Sequence, residues 1–187
     1  SEHQIRSPFE VLQHSQWWHK VFQKIQFGGR PVVSALQGAV VGGGLELATS
    51  THVRVADKSA FFQLPEGQRG IFVGGGASVR VGKIIGPDRM TEMMLTGRRY
   101  SAEDGYRLGL SHYLVEEGKA LEEAMKLAAQ IATNAPLSNW ASITAVANIG
   151  DMSMANGLYT ESLAAAIAQS SDEANRRMQD FLNRKKG

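Results

Sequence analysis

Two glycine triplets constrain this chain more than any other feature. Gly42-Gly43-Gly44 runs straight into Leu45-Glu46-Leu47-Ala48, and Gly74-Gly75-Gly76 follows an isolated acid, Glu66. Glycine costs about 0.5–1 kcal/mol relative to alanine in a regular element, so three in a row are expensive for a mere helix cap. They suit a place where something must approach the backbone closely. A helix that starts at such a turn exposes N–H groups with no partner inside the helix. Those amides can hold an anion, including one that develops during a reaction. A glutamate beside each turn adds a group that gives and takes protons.

The totals narrow the field. The chain has 187 residues, 43% hydrophobic and 20% charged, which reads as a globular protein with a real core. Lys and Arg number 20 against 18 Asp and Glu, and a net charge of +2 is too small to point to nucleic acid. The absence of cysteine excludes disulfides, thiol catalysis and Cys-ligated zinc, and it suits a reducing compartment. No apolar run approaches the ~20 residues that span a bilayer, and the start, SEHQIRSPFE, is no signal peptide. The expectation is therefore a cytoplasmic protein (mitochondrial matrix if eukaryotic) that uses neither membrane nor metal. GxSxG and GxGxxG do not occur. GASVRVGKI is one residue too long for a phosphate loop, and Ile84 stands where Ser or Thr belongs.

Periodicity predicts a helix from Pro8 to about Phe27, with Val11, Trp18, Val21, Phe22 and Ile25 at helical spacing. PVVSAL (31–36), HVRVA (52–56), Ala60 to Gln63 and LSHYLV (110–115) read as strands. QGAVVGGG reads as a loop too glycine-rich for regular structure, and LPEGQRG as another loop. Short helices are expected over Leu45 to Ser50, from Gly74–Gly76 to about Ile84, over Pro87 to Leu95, and over Ser101 to Leu108. Ser101 and Asp104 there form a variant capping box. Four more helices follow, over 119–133, 137–149, 153–169 and 172–184. Strands and helices alternate through residues 1–115, and 116–187 is helical, so the class is α/β with an appended helical region. Four short strands are few for a sheet. The chain reads as a fold whose first strands lie outside the sequence.

Taken alone, each acid has an ordinary explanation. Glu46 in a first helical turn complements the helix dipole, worth ~0.3–1 kcal/mol, and Glu66 after Pro65 suits a solvated loop. Beside two glycine-lined turns, the pair can instead divide acid and base roles. The residues by themselves leave both readings open.

PVVSALQGAVVGGGLELATSTHVRVADKSAFFQLPEGQRGIFVGGGASVRVGKIIG resembles the core signature of the enoyl-CoA hydratase/isomerase (crotonase) superfamily. The similarity continues through GPDRMTEMMLTGRRYSAEDGYRLGLSHYLV and into the tail DFLNRKKG. It implies a repeated ββα spiral core, here lacking its N-terminal strands, and a C-terminal helical region that mediates trimer or hexamer formation. It implies an acyl-CoA thioester substrate and no separate cofactor. By the same resemblance Glu46 and Glu66 are catalytic and hold one water. Glu66 delivers a proton to Cα, and Glu46 activates the water that adds at Cβ. The N–H of Gly43 matches one oxyanion donor, and that of Gly74 a group positioning the water. Val41, Gly42 and Pro65 fall among the substrate-binding positions, and Phe181 and Arg184 match an aromatic and a Lys that meet coenzyme A. The AG-x-D motif near the second oxyanion donor does not occur, Val73 replaces a common Pro, and Gly67-Gln68-Arg69 is unusually polar.

The other conspicuous residues read as structural. His3, His14, His19, His52 and His112 lack metal-ligand spacing, and Trp17, Trp18 and Trp140 suit core packing. Arg176, Arg177, Arg184, Lys185 and Lys186 suit a helix C-terminus. Three functions follow: an enoyl-CoA hydratase-type lyase; an isomerase or a thioester or carbonyl hydrolase on the same scaffold; or a non-catalytic oligomeric RNA-binding relative.

Overall fold

The computed structural model describes residues 7–184, Arg184 by its backbone alone. His3, the Arg184 side chain, Lys185 and Lys186 therefore lie outside the described residues. The chain divides into two compact units: residues 7–28 with Val32–Leu127, and Gly29–Pro31 with residues 128–184.

The first unit opens with α1 (Pro8–Phe27), capped by a reciprocal Ser7–Glu10 box. Then come β1 (Val33–Leu36), β2 (Ala39–Val41), α2 (Gly43–Thr49), β3 (Val53–Asp57) and β4 (Phe61–Gln63). A 3-10 turn (Glu66–Arg69) leads into α3 (Ala77–Ile85), α4 (Pro87–Thr96), β5 (Tyr100–Ser101), α5 (Ala102–Leu108) and β6 (Tyr113–Val115). The division between units falls inside α6 (Ala120–Ala132).

The strands form two sheets, ordered β1-β3-β6 and β2-β4-β5. β1 and β3 pair in parallel, with Val33 opposite Val53. β2 and β4 pair in parallel, with Ala39 opposite Phe61. Each β–β–helix turn thus contributes one strand to each sheet before its helix crosses back. This is the ββα spiral that the resemblance implied.

Two strands escape the sequence reading. QGAVVGGG is not a loop throughout, because Ala39–Val41 pairs with Phe61–Gln63. That pairing spans some twenty residues of chain, so the flanking glycines hide it from any local pattern. β5 is two residues long and antiparallel to β4. Among the described residues there are six strands, not four. The LPEGQRG loop contains the 3-10 turn.

Leu45, Phe62, Leu64, Ala77, Val81, Met93, Tyr100 and Leu110 are fully buried in one apolar cluster beneath α2 and α3. Val55, Ala120 and Ala124 form a smaller one. Buried Arg54 on β3 donates to the carbonyls of Leu110 (2.7 Å), Thr51 (3.1 Å) and Gly109 (3.1 Å). It ties β3 to the exit of α5 with no carboxylate partner among the described residues. Ser101 caps α5 with both arms of its box formed.

The second unit contains α7 (Pro136–Ile149), α8 (Met154–Gln169) and α9 (Asp172–Arg184). α7 and α8 pack together, and Arg177 on α9 donates to the carbonyl of Thr133 at 2.7 Å. Met154, Leu158, Tyr159, Leu163 and Ile167 along α8 are exposed.

Candidate active site

The first triplet closes β2 and starts α2. Gly42 adopts φ 53° and ψ −123°, accepts from the amides of Leu45 (2.9 Å) and Glu46 (3.0 Å), and donates to Gln63 (3.0 Å). A positive φ of this kind strains any L side chain. A Cβ at Gly42 would also sit 2.8 Å from Glu66 Oε1. The chain thus needs glycine at 42 both for its own turn and to admit the second acid. At Gly43 and Gly44 an added Cβ would meet nothing within 4 Å among the described residues, and both are exposed. Val41, at the end of β2, is half-buried beside them.

α2 buries Leu45, Glu46, Ala48 and Thr49 on one face while Leu47 faces out. This periodicity sends the Glu46 carboxylate inward, to 7% exposure, rather than into solvent. There Oε1 accepts from the amides of Gly75 (2.7 Å) and Ala77 (3.2 Å). α3 carries no acid in its own first turn and no side-chain cap. The carboxylate of Glu46 takes that place from another helix, where the α3 dipole favours a negative charge. Gly75 is the residue that allows this, since a Cβ there would lie 2.5 Å from Glu46 Oε2 and 2.8 Å from the Phe22 ring. Oε2 accepts no hydrogen bond from the described residues.

Glu66 starts the 3-10 turn immediately after buried Pro65, and it is 8% exposed. Its Oε2 is buried and has no hydrogen-bond partner among the described residues. Burial pushes its carboxyl up from the ordinary value, and the neighbouring negative charge of Glu46 adds to the rise. Its own backbone amide and Arg69 pull the other way. Two buried carboxylates close enough to feel each other do not both ionise freely. A buried carboxyl oxygen left without a partner is unusual enough to mark a place where a ligand or water belongs. The arrangement sets one acid against two backbone amides and a second in a buried place that makes it hold its proton to higher pH.

The sites expected from the sequence therefore converge in part. Glu46, Glu66, Gly42 and the second triplet meet in the first unit. Gly74 contributes its carbonyl, which accepts from Ser15 Oγ of α1 at 2.6 Å. Phe181 lies on α9 of the second unit, half exposed, and the side chain of Arg184 lies outside the described residues. The sequence reading missed the amides of Gly75 and Ala77 as the grip on Glu46, and the α1 residues Ser15 and Phe22 behind them. The uncapped, acid-free start of α3 was the one available signal. Among the described residues no three His, Cys, Asp or Glu gather to hold a metal. No helix among them is long and apolar enough to cross a membrane.

The enoyl-CoA hydratase/isomerase family model matches residues 10–187. "Probable enoyl-CoA hydratase 2, mitochondrial" from Arabidopsis thaliana is 32% identical over 162 residues, covering 87% of this chain and 54% of the relative. Carnitinyl-CoA dehydratase from Salmonella typhi is 38% identical over 109 residues, covering 58% of this chain and 42% of the relative. The chain thus spans about half the length of the curated relatives it matches. A crystal structure from Rhodopseudomonas palustris CGA009, described as a "putative enoyl-CoA hydratase", superposes with a TM-score of 0.95 at 52% identity, over 99% of this chain and 72% of that one. With a spiral of paired sheets, two glycine-gated acids and a family match along nearly all of its length, the chain belongs to the enoyl-CoA hydratase/isomerase family.

Proposed function

We propose that this protein is an enoyl-CoA hydratase-type lyase that reversibly adds water to a 2-enoyl-CoA thioester. The observation that carries it is the pair of buried carboxylates, Glu46 fixed by two amides and Glu66 against Gly42 with an oxygen unpartnered among the described residues. In this reading one water sits between Glu46 Oε2 and Glu66. Glu46 draws a proton from the water as its oxygen bonds to Cβ, and Glu66 delivers a proton to Cα. Charge that collects on the thioester oxygen meets the N–H of Gly43, which precedes the first intrahelical bond of α2. Such a donor is worth about 2.7–4 kcal/mol. The open space at Gly43 and Gly44 supports close approach of an acyl group to that backbone. Val41, Gly42 and Pro65 would line the approach, and Gly74 would help position the water.

The same reading includes a coenzyme A contact at Phe181 and Arg184 and needs no further cofactor. It includes a homotrimer or hexamer, supported by the exposed apolar row along α8 and testable by light scattering. A cytoplasmic setting, or the mitochondrial matrix in a eukaryote, accompanies it. The direct test incubates the protein with a short 2-enoyl-CoA and follows the conjugated thioester absorbance and product mass. Hydration bleaches the absorbance and adds one water. Isomerisation leaves the mass unchanged, and thioester hydrolysis releases free coenzyme A; either product would replace the hydratase reading.

A further inference from the structure

We propose that Gln63 and Gln68, which bracket Glu66 in the chain, are positioning residues that clasp the exit of α4 around Gly97 and so fix where Glu66 stands. The inference deepens the function above and rests on its assignment of Glu66. Glu46 is gripped by the amides of Gly75 and Ala77, whereas Glu66 Oε2 has no partner among the described residues. The place of Glu66 therefore depends on the backbone that carries it, and that backbone is anchored on both sides. Three residues before the acid, Gln63 Nε2 donates to the carbonyl of Gly97 at 2.6 Å. Two residues after it, Gln68 Nε2 donates to the carbonyl of Thr96 at 3.4 Å. Between these anchors, a Cβ on Gly67 would stand 3.0 Å from the carbonyl of Met94. The segment thus closes on the end of α4, where the helix runs out of amides for its own carbonyls.

Gly97 is shaped for this contact. Its φ of 68° lies in the left-handed region, and its amide bonds back to the carbonyl of Met93 at 2.9 Å. A Cβ there would collide with the side-chain amide of Gln68. Gln63 has a second hold on the site. Its own carbonyl accepts from the amide of Gly42 at 3.0 Å, and Gly42 is the residue that leaves room for Glu66 Oε1. One glutamine is thereby bonded through its main chain to the first glycine turn and through its side chain to the exit of α4. Only Leu64, fully buried, and Pro65, whose ring limits its φ, separate it from Glu66. Glutamine suits the task because the charges that bear on Glu66 are Glu46 and Arg69, and a neutral amide holds the turn without adding a third.

The test reads Glu66 directly, by carbon-13 NMR titration of labelled glutamate carboxyls, its resonance assigned by loss in Glu66→Gln. Gln63→Leu and Gln68→Leu open the clasp from one side, and Gly97→Ala from the other. Each admits water to a carboxyl whose hold on its proton is raised chiefly by burial, so the Glu66 titration is expected to fall toward the ordinary 4.5, furthest in Gln63→Leu. Ser101→Ala, which loosens the cap of α5 instead, is expected to leave it in place. In turnover, Gln63→Leu should lower kcat by about ten- to a hundredfold with KM little changed. A Glu66 titration that does not fall in folded Gln63→Leu, or in Gln68→Leu should Gln63→Leu not fold, overturns the proposal whether or not enoyl-CoA is hydrated. A lowered titration in a protein that does not hydrate enoyl-CoA upholds the clasp and removes the hydratase reading alone.

Discussion

Glu46 and Gly75 are joined by a 2.7 Å hydrogen bond, and a methyl group on Gly75 would lie 2.5 Å from the same carboxylate. The contact that holds this carboxylate also leaves no room for a side chain on its partner. Gly75→Ala is expected to push Glu46 off its amides, costing about 1–3 kcal/mol of stability and about 100-fold in turnover. Urea unfolding and initial rates on one 2-enoyl-CoA check both numbers.

Gly42→Ala faces a double obstacle, a φ of 53° and a Cβ 2.8 Å from Glu66 Oε1. Displacement of Glu66 should lower kcat by at least about tenfold, with a stability loss of about 1–3 kcal/mol. Gly43→Ala would place a methyl group with nothing within 4 Å among the described residues. Its expected signature is little change in melting temperature with weakened catalysis, measured by calorimetry beside steady-state rates.

The pH dependence of stability has a definite sign. Glu66 has its folded pKa raised above the ordinary 4.5, chiefly by burial, so the folded state holds that proton more tightly than the unfolded chain. The stabilisation is complete below the unfolded value and is lost as pH rises through the folded one. Glu66→Gln removes the titration. Its stability relative to wild type should therefore increase as pH climbs above 4.5 and level off beyond the folded pKa. Urea midpoints of both proteins across pH 4 to 8, roughly the range of acid-group titration, would show this; a constant difference would contradict it.

A distant substitution serves as the control. Ser101 caps α5 through the amide of Asp104 at 3.1 Å. Ser101→Ala should cost about 1 kcal/mol of stability and leave turnover unchanged, as unfolding curves and rates on the same preparation would show.

Local signals carried much of this fold. α1 announces itself through Pro8 and its apolar spacing, α5 through Ser101 and Asp104, and each lies where those residues place it. β2 was illegible because its partner strand is remote and its flanks are glycine. The candidate acids were legible by their glycine context, whereas the grip on Glu46 was not. That grip consists of backbone amides of Gly75 and Ala77, which leave no trace in side-chain identity. Gln63 and Gly97 were hidden for another reason: they stand 34 positions apart and meet only once α4 packs against the 3-10 turn.

The central claim, two acids working as a unit on one water, is tested most directly by a double-mutant cycle on enoyl-CoA hydration. Glu46→Gln and Glu66→Gln should each lower kcat/KM by about 100-fold or more, and the double variant should be little slower than the worse single one. Wild-type rates in either single variant, or losses that multiply in the double, would contradict the account.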